Sequence, residues 1–207
     1  MARTQSYEAL VLRSFDIGEA DRFCIFFTKE RGRLAARARG VRKMMSRMGG
    51  SLLPFSHVRI QLAETEHSLT ITSAQSFSHH LLDYGEYEVF TQLMRGMELV
   101  LALTEDDEPL PQVFELLLTF VHAAAVPGCD PVLPFSLSLL HVLGLLPLRD
   151  EDQRFARLSA EAKEFVRQCV RVRDIDMLCA DVPEAFALQR FVDWVLEDHL
   201  KRPLKSL

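Results

Sequence analysis

The chain has 207 residues, of which 48% are apolar, with 24 Lys/Arg against 29 Asp/Glu and a formal charge of -5. That length exceeds one small barrel and suits two modest domains with buried cores. No apolar run reaches the roughly 18–20 residues that a bilayer-spanning helix needs, and the opening MARTQSYEAL lacks the apolar centre of a secretion signal, so the reading is a soluble, cytoplasmic protein.

Residues 1–80 read as strands. In YEALVLRSF, Tyr7, Ala9 and Val11 fall on one side, with Leu10 and Leu12 on the other. DIGEAD supplies turn chemistry. RFCIFFT is apolar on both faces, as for a strand covered on both sides or one exposing rings to a ligand. KERG is a hairpin turn with Gly32 at positive φ. In RLAARARG, period two sets Leu34, Ala36 and Ala38 against Arg33, Ala35, Arg37 and Arg39. VRKMMSRMGG has no period and reads as an exposed loop. PFSHVRIQLAE and HSLTITSAQSF complete about five strands, which suit a small closed barrel of the OB type.

From about Tyr84 the spacing turns helical, and the boundary between two domains is set at 80/81. YEVFTQLMRGMELVLAL and PQVFELLLTFVHAAAV are amphipathic helices, the second with Pro111 near its start. DPVLPFSLSLLHVLGL is apolar all round, which predicts a central helix. LPLRDEDQRF reads as irregular, and SAEAKEFVRQCVRV and PEAFALQRFVDWVLEDHL as further helices. The predicted fold is thus mixed: an OB-fold β-barrel over residues 1–80, then an all-α domain over 81–207.

The motifs for phosphate-loop, dinucleotide, serine-hydrolase and zinc-protease chemistry are all missing. Ser136 and Ser138 lie in an apolar helix with no base nearby. Asp106, Asp107 and Glu108 read as a solvated loop between helices, and His79-His80 as linker. Cys24, Cys129, Cys169 and Cys179 form no close pair of the kind zinc sites use. They read as small buried hydrophobes, with no disulfide framework. The expectation is a non-enzyme without catalytic residues, metal or cofactor.

Charge is distributed unevenly. Residues 1–80 hold 12 Lys/Arg and 7 Asp/Glu, a net of +5, while residues 81–207 hold 12 and 22, a net of -10. Lys29, Arg31, Arg33, Arg37, Arg39, Arg42, Lys43 and Arg47 crowd one stretch. Such a cluster attracts a polyphosphate backbone, and guanidinium groups add forked phosphate contacts. Phe15, Phe23, Phe26 and Phe27 are candidate base-stacking rings.

These residues carry a resemblance. GEADR ahead of a strand, then T-x-E-x-G-R, A-R-G-V-R-K, an S-R and L-x-P-F resemble the N-terminal barrel of the bacterial recombination mediator RecO. PFSLSLLHVLGLLP and the closing PLKSL are similar to the same family's central helix and ending. The resemblance implies an OB barrel and a helical domain that bind single- and double-stranded DNA at the nucleoid and anneal complementary strands. It further implies work with RecR in loading RecA onto DNA coated by the single-strand-binding protein, whose acidic C-terminal tail the family grips. By motif, Arg22, Lys29, Arg31, Arg33, Arg37, Arg39, Arg42, Lys43 and Arg47 become DNA-contact candidates. Phe135, Leu139, Arg149, Arg190, Lys201, Arg202 and Lys205 become candidates for holding the tail. LGLLPLRDEDQRF carries no cysteine where many members have a zinc element, so a shortened, zinc-free connection is expected. The alternative reading is an OB-type adaptor whose basic patch meets an acidic protein.

Overall fold

The computed structural model describes residues 3–44, 46, 48–66, 68–78, 87–171 and 174–200. Five strands, β1 (Arg3–Ile17), β2 (Asp21–Thr28), β3 (Gly32–Ala38), β4 (His57–Thr65) and β5 (Ser68–Ser78), form a closed barrel in the order β1-β2-β3-β5-β4. All pairings are antiparallel except β3 with β5, which run parallel and match only Arg37 with Thr70 and Ala38 with Ile71. The barrel is of the OB type, as the alternation predicts. Tyr7, Ala9, Val11, Cys24, Phe26, Leu34, Ala36, Ala38, Val58, Ile60, Leu62 and Ile71 fill its interior.

The stretch after β3 is less exposed than its composition suggests. Val41 and Leu52 belong to the barrel core and Met48 packs against it, so the connection plugs one end while Arg42 and Lys43 stay outside. A 3-10 turn spans Gly50–Leu52. Burying such a side chain contributes about 1.5–3 kcal/mol, enough to fix the path of a segment that has no ladder of its own.

Among the described residues seven helices follow: α1 (Tyr87–Leu103), α2 (Pro111–Ala124), α3 (Val132–Val142), α4 (Gln153–Ala156), α5 (Ala160–Arg171), α6 (Ile175–Leu178) and α7 (Ala185–His199). Two compact units result: Met1–Gly85 with Thr104–Leu118, and Glu86–Leu103 with Thr119–Leu207. Residues 104–118 thus group with the barrel. In the helical unit, α3 is buried without interruption from Val132 to Leu140 and packs against α1, α5, α6 and α7, as its all-round apolar sequence predicts. Phe120 of α2 stacks on Phe135 of α3 at 4.2 Å between centroids. At Gly96 of α1 a Cβ would sit 2.2 Å from the Phe120 ring, so only glycine admits that ring.

Two expectations change. LPLRDEDQRF is not wholly irregular: Asp152 caps α4, accepting from the N–H groups of Arg154 (2.8 Å) and Phe155 (3.3 Å), and Phe155 is fully buried. Asp174 likewise caps α6, accepting the Met177 N–H at 2.9 Å. Second, Cys129 and Cys179, 50 residues apart, are paired in a disulfide with Cα atoms 5.0 Å apart. The absence of close cysteine pairs predicts none, but a bridge needs proximity in space only. Cys24 and Cys169 are free and buried, and burial pushes each thiol up to about 12, as for small core hydrophobes. The Ser136 and Ser138 hydroxyls donate to the carbonyls of Val132 and Cys169 and serve packing. No helix among the described residues is long and apolar enough to cross a membrane.

Candidate nucleic-acid interface

Strand register builds the site. Phe15 of β1 lies opposite Phe23 of β2, Phe23 opposite Arg37 of β3, and Arg37 opposite Thr70 of β5. Directly opposed residues project to the same face, so one rung carries two rings, a guanidinium and a hydroxyl outward. The next rung is Arg13, Ile25 and Ala35, and the one beyond pairs Phe27 with Arg33. Phe15 is 48% exposed, Phe23 is half-buried, and Ala35 and Arg37 are exposed. Phe26 and Phe27 are fully buried, Phe26 inside the barrel core. They offer no ring face to a base, which corrects their candidacy.

The end of β3 collects the cations. Arg37 pairs with Asp21 at 2.6 Å, a diagonal neighbour on the same face. Asp21 also accepts the Gly40 N–H at 2.7 Å. That backbone donor first, and the Arg37 guanidinium second, hold the Asp21 carboxyl below the usual carboxylate range. Arg42 donates to the Gly18 carbonyl at 3.0 Å and meets Asp16 at 3.2 Å. Arg39 and Lys43 are exposed and have no ion pair among the described residues. Gly18 and Gly40 both have positive φ, as their turn roles require.

Arg22 is different. It lies opposite Ala38, a core residue, and its side chain is only 15% exposed. It donates to Asp16 at 3.0 Å and to the Gly49 carbonyl at 3.1 Å. Arg22 therefore ties the plugging connection to the barrel and presents little charge outward.

The other end of the hairpin is screened. Thr28 Oγ1 donates to the Gly32 carbonyl and accepts the Arg31 N–H, fixing the turn. Lys29 meets Glu115 at 2.6 Å, which raises its ammonium pKa through that hydrogen bond. Arg31 pairs with Asp107 and, at 3.3 Å, with Glu64, while Arg33 pairs with Asp106 at 2.5 Å. Asp107 N–H donates to the Arg33 carbonyl at 2.9 Å, and Arg33 and Asp106 form a parallel bridge. The open edge of β3 is thereby paired. The acidic triplet is thus not a merely solvated loop. No sequence spacing announces these contacts, since 73 and 76 residues separate the partners.

The nine basic candidates therefore fall into groups. Arg37, Arg39, Arg42 and Lys43 share the open end, Lys29, Arg31 and Arg33 the screened end, Arg22 lies within the barrel end, and Arg47 lies outside the described residues. Sequence reasoning passed over Asp16, Asp21 and the outward residues Arg13, Ile25 and Thr70. Asp21 adjoins Arg22 in the GEADR motif, a signal that carried no role until the register was known.

In the helical unit, Phe135 and Leu139 are fully buried in α3. They are core, not groove, because α3 is covered on every side. Arg149 is exposed beside Leu146, Pro147 and Leu148, around a shallow cavity of about 470 Å³ that Glu151 and Asp152 also line. Arg190 is exposed and lies 6.0 Å from the ring of Phe186, itself 78% exposed. Lys201, Arg202, Lys205 and His79-His80 lie outside the described residues. Among the described residues no group of three or more His, Cys, Asp or Glu is arranged to hold a metal.

The family model described as "Recombination protein O N terminal" matches residues 1–79. A DNA repair protein RecO of a Nocardioides species is 40% identical over 161 residues, covering 74% of this chain and 65% of the relative. That of Myxococcus xanthus is 34% identical over 161 residues, covering 76% and 66%. That of Heliobacterium modesticaldum is 38% identical over 141 residues, covering 68% and 51%. The chain spans less than two thirds of the length of these curated relatives. The barrel, its glycine turns, its basic stretch and these similarities over most of the chain agree: the chain belongs to the RecO family of DNA repair proteins.

Proposed function

We propose that the outward face of β1–β2–β3 binds single-stranded DNA and that the protein acts in recombinational repair. Membership of a DNA repair family supports the role. The observation that carries the binding mode is the rung Phe15–Phe23–Arg37, flanked by Arg39, Arg42 and Lys43. Bases stack on exposed rings while cations follow the phosphates. Neutralising the backbones of two strands lets complementary bases meet, which is annealing without a catalytic group or cofactor. A mediator that loads RecA with RecR, and grips the acidic tail of the single-strand-binding protein, is the fuller form of this reading. The exposed cation Arg190, beside the exposed ring of Phe186, suits such a tail better than the buried Phe135 and Leu139.

The test is binding of a fluorescent single-stranded oligonucleotide across a salt series, with and without an acidic-tail peptide. Each phosphate neutralised adds about 0.7 to the salt slope. Contacts from the four open-end cations give a slope near -3. A second reading, an adaptor for an acidic protein, draws on the carboxylates already seated on Arg31 and Arg33. It predicts weak oligonucleotide binding at physiological salt and tight binding of an acidic polypeptide.

A further inference from the structure

Resting on that reading of the barrel face, we infer that Asp106, Asp107 and Glu115 form a fixed anionic screen that bounds the DNA-binding face at Ala35. Three cations of the hairpin, Lys29, Arg31 and Arg33, face these three carboxylates with Glu64 as a fourth. To an approaching phosphate this end of β3 is neutral to negative, whereas the Arg37 end is positive.

The screen is built in rather than loosely associated. Its backbone is tied to β3 by the Asp107 N–H to the Arg33 carbonyl, 2.9 Å, and by the parallel bridge between Arg33 and Asp106. The Glu108 carbonyl rests against Gly32, where a Cβ would stand 1.8 Å from it. Exposed ion pairs alone are worth little and a phosphate could replace them. With the backbone of residues 106–108 held against β3, Asp106 and Asp107 stay beside the hairpin when a polyanion arrives. Asp107 sits at φ 60, a conformation that Asp and Asn tolerate better than most residues. The consequence is a footprint bounded along β3, so the strand is confined to the Arg37 rung and the side of it that carries Arg39, Arg42 and Lys43.

The experiment is salt-dependent binding of a fluorescent single strand to the full chain and to the triple variant D106N/D107N/E115Q. The amides keep size and backbone contacts, and asparagine suits the left-handed backbone at 107. The variant is expected to bind at least about tenfold tighter at about 0.1 M salt, with the slope steeper by about 2, or three further phosphates at about 0.7 each. Lys29→Gln, an exposed change that leaves the fold alone, is expected to alter wild-type affinity by less than about twofold yet to lower the slope of the triple variant by about 0.7. An unchanged slope in the triple variant overturns the screen, as does a wild-type loss of about fivefold or more on Lys29→Gln. Binding with an unchanged slope defeats this inference alone. Absence of binding by both wild type and triple variant defeats the proposed function with it.

Discussion

The two ends of the β2–β3 hairpin start from similar sequence and finish with opposite electrostatics. Lys29, Arg31 and Arg33 lie in one cluster with Arg37, Arg39, Arg42 and Lys43 along the chain. At the turn end the first three meet carboxylates from residues 104–118, brought there by the fold. At the far end Asp16 and Asp21 engage Arg42 and Arg37, and Arg39 and Lys43 remain exposed. A run of basic residues states how much charge a segment carries. Where the field points depends on which acids the topology delivers, and here only the far end keeps exposed cations, Arg39 and Lys43, with no ion pair among the described residues.

The sharpest way to break the contrast is R37E/R39E/R42E. Removing three phosphate contacts and adding three repulsive charges should weaken single-strand binding by about 100-fold or more and abolish annealing. Retained annealing in a strand-pairing assay would show that the open end is not the site. Next in size is Gly32→Ala at the screened end. With φ +71 and the Glu108 carbonyl in the way, it should cost about 2 kcal/mol or more. Urea unfolding measures this, and a loss below about half that figure would mean that the close approach relaxes freely.

Phe15→Ala separates stacking from charge at the open end. One lost base contact is worth about 1–3 kcal/mol, so affinity falls about tenfold while the salt slope stays put. A shallower slope would show that the ring serves only to position Arg37. The smallest effect belongs to Asp21→Asn. A carboxyl held low in the folded state contributes stability above its ordinary pKa, and that contribution disappears as pH falls through the folded value. Wild type should therefore melt higher than the variant at neutral pH. The two should converge as pH drops below the usual carboxylate range, and a gap that persists in acid would deny the charge its part.

Much of the barrel is legible from alternation alone: Leu34, Ala36 and Ala38 point in, and Arg33, Ala35 and Arg37 point out. The apolar helix α3 is legible for the same reason, since a segment without a polar face can only be central. What alternation leaves open is what covers a face. Phe23 and Phe27 share the outward row of β2, yet one is half-buried and the other fully buried, and nothing in RFCIFFT separates them. The disulfide and the Asp106 and Asp107 pairings join residues dozens of positions apart, with no local pattern to mark them. The four-residue helices α4 and α6 are too short to show a period.

The parallel contact of β3 with β5 is two residues long, and one of the two is Arg37. A polynucleotide lying along Phe15, Phe23, Arg37 and Thr70 crosses this join as a hoop crosses staves. Whatever binds there favours the closed cylinder over any state in which the join parts, by the free energy of the contacts made on both sides. Amide exchange at Ala38 and Ile71 should then slow more on loading than exchange along the long β4–β5 ladder.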